Sequence, residues 1–164
     1  MPTFDNLTTG IETRLTAGMA ALKALPADLK FPWRGNPSLT DIAVLVQDAV
    51  DIENKIDEAV QKIGMLCFIN MPGFRNHDPL GDQVNAVIKL IVEVGEEPIV
   101  WRDNPLTKPK AKDAAQIVAA LLQGYVINGF EPLRVMTGDF QKDKKRQIYF
   151  VTVETLNIFD AISV

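Results

Sequence analysis

The sequence predicts an α+β domain in which a sheet packs against two or more helices, and three stretches carry that prediction. Residues 111–125 place Ala114, Ile117, Val118, Leu121, Leu122 and Tyr125 three or four apart, the stripe of a helix laid on a sheet. Residues 83–94 alternate instead. Val84, Ala86, Ile88, Leu90, Val92 and Val94 line one face, and Asn85, Val87, Lys89, Ile91 and Glu93 line a half-polar other face. Residues 148–155 alternate as well, Ile148, Phe150 and Thr152 against Tyr149, Val151 and Val153. No repeat, low-complexity tract or flexible linker interrupts the 164 residues, which read as a single domain, 1–164. A chain of this length buries about 70% of its extended surface on folding.

Taken in order, a first helix is expected from about Asn6 to Leu25. Ile11, Leu15, Met19, Leu22 and Leu25 form its apolar side, Thr8 or Thr9 its cap, and Pro26 its stop. Residues 26–38 read as an irregular connector punctuated by Pro26, Pro32, Gly35 and Pro37. Phe31 and Trp33 either pin this connector to the body or, beside Arg34, form a partner contact. Leu39–Gln47 is read as a strand. The following DAVDIENKIDEAV is a helix with Ile52, Ile56, Ala59, Val60 and Ile63 buried and Gly64 at its end.

MLCFINM, residues 65–71, is apolar on both faces, as a central strand is. GFRNHDPLGD reads as a polar loop before the long strand from Gln83, which is expected to project from the body or turn at a bulge. IVWRDNP and the basic LTKPKAK are irregular. Beyond the second long helix, Leu133, Val135 and Phe140 suggest a strand broken at Gly138, QKDKKRQ is a charged hairpin or loop, and LNIFDAISV is an edge strand or docking segment.

Composition narrows the chemistry. Lys plus Arg is 17 and Asp plus Glu is 21, a formal charge of −4, which gives no support for a general nucleic-acid binder. One cysteine, Cys67, and one histidine, His77, leave no disulfide framework and make a zinc site improbable. The start MPTFDNLTTG has no basic leader or apolar run, so a secretory signal is not expected. No stretch of 18 apolar residues implies a membrane span. Cys67 sits in an apolar strand, where an inert core thiol is the default over a Cys–His pair with His77.

Asp48, Asp51, Glu53, Asp57 and Glu58 read as the wet side of a helix rather than a Mg²⁺ site. Glu93, Glu96 and Glu97 read as a turn-region charge cluster rather than an acid–base pair. Neither a GxGxxG fingerprint, a phosphate loop nor a nucleophile elbow is present. Lys108, Lys110 and Lys112 put positive charge at the start of a helix, the nearest thing to an anion site. Lys142, Lys144, Lys145 and Arg146 form a second basic loop. No catalytic residue, cofactor or metal is expected.

The order DIENKIDEAVQKIGM, a strand, VIKLIVEVGEEPIVWRDN, TKPKAKDAAQIVAALLQGY and a closing QIYFVTVET resembles the phage and prophage minor tail proteins known as tail terminators or tail completion proteins. The family's EVxENPxxNR stretch corresponds to Glu93, Val94, Glu97, Pro98, Trp101 and Arg102. Its Thr-Gly-Lys-like turn corresponds to Thr107 and Lys108, opening an Ala/Leu-rich helix that ends near Tyr125. The similarity spans about residues 50–156. Trp101 departs from the family's Asn, and Pro109 from its small polar residue.

The resemblance implies a small mixed, mainly antiparallel sheet flanked by helices, and no active site. Six copies would close a homo-hexameric ring on the head-proximal end of the tail tube, in a virion tail assembled in the host cytoplasm. The ring stops tube growth and joins the head or neck. Its implied partners are further copies of itself, the tail tube protein and a head or neck completion protein, with transient non-specific DNA contact and no membrane. Candidate interface residues are Trp33, Arg34, Lys89, Ile91, Glu93, Trp101 and Arg102, with Asp57 and Glu58 interface or surface groups. Lys108, Lys110, Lys142, Lys144, Lys145 and Arg146 would line the lumen or face neighbours. Three alternatives stand beside it: a head–tail connector, a small phosphate- or nucleotide-binding enzyme using Arg102, Lys108, Lys110 and Asp113, and a monomeric adaptor using Trp33 and the C-terminal tail.

Overall fold

The computed structural model describes residues 3–28, 30, 33–59, 65–77, 83–96, 110–142 and 147–160. The elements are α1 (Phe4–Ala24), β1 (Ala43–Val46), α2 (Ile52–Glu58), β2 (Met65–Ile69), β3 (Gly73–Asn76), β4 (Gln83–Glu96), α3 (Ala111–Leu122), β5 (Arg134–Lys142) and β6 (Gln147–Asp160), with a 3₁₀ turn at Pro37–Asp41. The strands form a six-stranded sheet in the order β1-β2-β4-β6-β5, with β3 also paired to β4. Only β1 and β2 run parallel; every other pairing is antiparallel. The result is a small α+β domain with a mixed, mainly antiparallel sheet packed against helices.

The helix α1 begins earlier than its apolar stripe suggests. Thr3, not Thr8 or Thr9, is the cap: Thr3 Oγ1 accepts the Asn6 N–H at 3.3 Å while Asn6 Oδ1 accepts the Thr3 N–H at 2.9 Å. Thr8 lies inside the helix and donates its hydroxyl to the Phe4 and Asp5 carbonyls. Leu7, Ile11, Leu15 and Met19 bury the inner stripe, and the helix stops at Ala24, two residues before Pro26. At Gly18 an added Cβ would come within 2.5 Å of Leu121, so glycine sets how closely α1 and α3 approach. Arg14 bridges the same helices: its Nε donates to the Leu121 carbonyl at 3.0 Å, and its guanidinium lies 4.8 Å over the Tyr125 ring.

Both long helices pack on one face of the sheet. Ala86, Ile88, Leu90, Val92 and Val94 of β4 point into this layer with Cys67 and Ile69 of β2 and Val151 and Val153 of β6. All are buried, as are Ile117, Val118 and Leu122 of α3. Leu121 is half-buried, at the margin of the α3 stripe.

Several expectations change. Leu39–Asp41 is 3₁₀ rather than strand, because Pro37 and the Asn36 cap on the Ser38 N–H start a helical turn there; only Ala43–Val46 is extended. In α2 only Ala59, just past its end, is buried. Ile52 and Ile56 are half-exposed, and positions 60–64 lie outside the described residues. The supposed polar loop contains β3, which pairs with β4 beyond the point where β2 ends.

With β2 and β3 in series along one side and β6 along the other, β4 is paired throughout. It neither projects nor bulges over its 14 residues. Gly138 does not break β5; the irregularity falls between Val135 and Thr137. Of the segment 156–164, Leu156–Asp160 is neither an edge strand nor a separate docking segment but the continuation of β6, in register with Gln83–Val87, and positions 161–164 lie outside the described residues.

Candidate interaction surface

The sheet's second face carries the alternate residues of the same strands. Directly opposed residues of neighbouring strands share a face, so the ladder registers list its occupants row by row. One row runs Leu45, Phe68, Glu93, Phe150, Asp139. The next runs Ile91, Thr152, Thr137, and the third Gly73, Lys89, Glu154, Arg134. Leu45, Phe68, Ile91 and Phe150 are half-buried where their counterparts on the helix side are buried. The helices α1 and α3 lie on the other face, and α2 meets the edge strand β1. Apolar Leu45, Phe68 and Phe150 thus share one row with Glu93 and Asp139, Lys89 and Arg134 flank Glu154 two rows away, and no described helix lies over them.

Of the residues singled out from sequence, Lys89, Ile91 and Glu93 fall together on this face. Glu93 accepts the Asn70 Nδ2–H at 2.8 Å, which fixes its carboxylate. A hollow of about 530 Å³ opens beside Lys89 and Ile91, walled by Met71, Phe74 and Arg75. Met71 is 39% exposed on its rim, whereas the Phe74 ring, opposite Ile88 and 5.8 Å from the Phe4 ring, belongs to the helix side.

Trp33 and Arg34 lie elsewhere. Trp33 packs against the core, and Arg34 pairs with Asp28 at 3.1 Å. The Gly35 N–H donates to the Leu22 carbonyl at 2.9 Å, so this stretch of the connector is tied back onto α1. Phe31, Trp101, Arg102, Lys108, Lys144, Lys145 and Arg146 lie outside the described residues. Lys110 immediately precedes α3, and Lys142 is the last residue of β5.

The start of α3 differs from the anion cradle its lysines suggest. Glu96 is no part of an open turn cluster. It is buried on the helix side of β4, and its Oε2 accepts the Ala111 N–H at 2.7 Å. Asp113 Oδ2 accepts the Lys110 N–H at 3.3 Å. Two backbone donors that an anion would use are already held by carboxylates, which also supply the negative charge favoured at a helix N-terminus. Sequence reasoning missed this role; the available signal was that Glu96 shares the alternation phase of Val92 and Val94.

Cys67 is buried in the helix-side core, and burial pushes its thiol up to about 12, so it is held as the neutral thiol. His77 follows β3, exposed, with its backbone N–H on the Asn85 carbonyl at 2.8 Å. Among the described residues no group of three or more His, Cys, Asp or Glu side chains is placed to hold a metal ion. No described helix is long and apolar enough to cross a membrane. No protein-family model matches the chain, and no curated protein matches it.

Proposed function

We propose that this chain is a structural subunit of a phage or prophage tail, the terminator that caps the tail tube and joins it to the head or neck. The supporting observation is the helix-free face of the sheet. It carries half-buried apolar side chains on three central strands, a pattern that calls for a covering partner. The motif order from Asp51 to Thr155 supplies the tail assignment. The α+β layering accommodates a tail-terminator-like fold, with α3 as the Ala/Leu-rich helix and β6 as the closing strand. In this reading copies close a ring on the tube end, as cyclic assemblies of one chain do, with the tube protein and a neck protein as further partners.

The test is genetic and visual. Disrupting the coding sequence in the phage or prophage that carries it should yield headless tubes of uncontrolled length by negative-stain imaging. Head-joined tails of normal length from the disrupted genome would contradict the assignment. Within the same class, a neck connector would instead give tubes of normal length that fail to join heads.

A further inference from the structure

Three rows of side chains cross the centre of the helix-free face, and their order along β4 and β5 is self-complementary, while on β6 Glu154 comes to face Phe150. The first row is Lys89, Glu154 and Arg134; the middle row is Ile91, Thr152 and Thr137; the third is Glu93, Phe150 and Asp139. On β4 a cation and a carboxylate therefore flank Ile91 at equal spacing. On β5 Arg134 and Asp139 flank Thr137 in the same order. Arg134 and Asp139 are five residues apart, a spacing that puts side chains on opposite faces of a regular strand. The extra residue between Val135 and Thr137 returns both to one face. Neither Lys89, Glu154 nor Arg134 is in an ion pair with another described residue.

A half-turn about an axis lying along the middle row carries the first row of one copy onto the third row of another. It sets Lys89 over the partner's Glu93 and Arg134 over the partner's Asp139, each contact occurring twice. Shape obeys the same operation. Phe68, opposite Glu93, is a large half-buried ring in line with the third row. Gly73, opposite Lys89, lies in line with the first row and at the 530 Å³ hollow. A Cβ added at Gly73 would meet nothing within 4 Å. The half-turn seats Phe68 over that hollow.

We infer that two copies of this chain pair as a twofold dimer, helix-free face on helix-free face, joined by Lys89–Glu93 and Arg134–Asp139 contacts across the axis. Aligned sheets pack this way about 10 Å apart. The 50 strand residues of the sheet, at ~3.3 Å rise and ~4.8 Å spacing, span on the order of 800 Å². That area is comparable with the roughly 800 Å² per partner of a standard stable interface. An isologous contact closes at two copies, so the dimer covers the face while the subunit is off the tube, and docking must open it. The inference rests on the proposed function only in taking this face as a contact surface.

Sedimentation velocity of the full chain tests it. The native protein should run at twice its 18.2 kDa mass. R134D and D139R should each weaken the dimer by about tenfold or more, since each sets like charges together twice. The combined R134D/D139R exchange should restore the dimer, because the half-turn again faces opposite charges. Gly73→Phe, whose side chain enters open space in a single copy, should give a monomer with an unchanged circular dichroism spectrum. A native monomer throughout the concentration range would overturn the dimer. So would single reversals that dimerise like the native chain, or a folded double exchange that stays monomeric. Rings insensitive to the exchange would overturn the dimer and leave the tail subunit standing; a charge-swappable dimer whose gene is dispensable for tail length and head joining would do the reverse.

Discussion

The two faces of the sheet alternate along the same strands and share one backbone and its hydrogen bonds, but differ in residue type and in the described helices above them. On the helix side Ile88, Leu90, Val92 and Val94 are at most 2% exposed, beneath α1 and α3. On the other side Lys89, Ile91 and Glu93 keep contact with water. The difference separates two roles: the helix side supplies the free energy of folding, and the helix-free side carries apolar area that a single folded chain leaves partly wet.

The largest expected effect breaks the comparison directly. Ile88→Ala should cost about 2–5 kcal/mol in urea unfolding, the range for emptying a packed core site. Glu96→Ala comes next, at about 1–2 kcal/mol, because it frees the Ala111 N–H at a helix start as loss of a cap does. Ile91→Ala, three residues along the same strand from Ile88, should cost about 1 kcal/mol or less in a dilute single chain. Equal costs at Ile88 and Ile91 would mean that both faces are core.

The smallest effect is one of pH. Burial raises the Cys67 thiol from 9.0 to about 12, so the folded state holds the proton more tightly than the unfolded one. Its contribution is fully present below pH 9.0 and is lost as pH rises from there towards about 12. Unfolding curves of native and Cys67→Ala protein should run at a constant offset up to pH 9 and converge above it. A constant offset at higher pH would place Cys67 outside the core.

The helix side was the legible one. The alternation of β4 and the stripe of α3 appear in the sequence because burial under a helix demands an unbroken apolar set, and the structure reproduces both. What escaped depends on partners distant in sequence. GFRN has no apolar alternation; it becomes β3 because β4 outruns β2 and offers an open ladder. Residues 156–160 look like a detached tail until β4 pairs with them. Glu96 reads as a charge in a turn until the chain returns α3 to it. The interface candidates Lys89, Ile91 and Glu93 were legible as one face, but their match to Arg134, Asp139 and Phe68 needed the registers and the β5 bulge.

The central claim is that the helix-free face is covered by a protein partner, with a second copy as its resting occupant. Hydroxyl-radical footprinting of the native chain from dilute to concentrated solution reads this at individual side chains. Phe68, Phe150, Met71 and Ile91 should become protected together as concentration rises, while Val126, 58% exposed and beyond the end of α3, should not change. Unchanged labelling of Phe68, Phe150, Met71 and Ile91 across the full range would contradict the account.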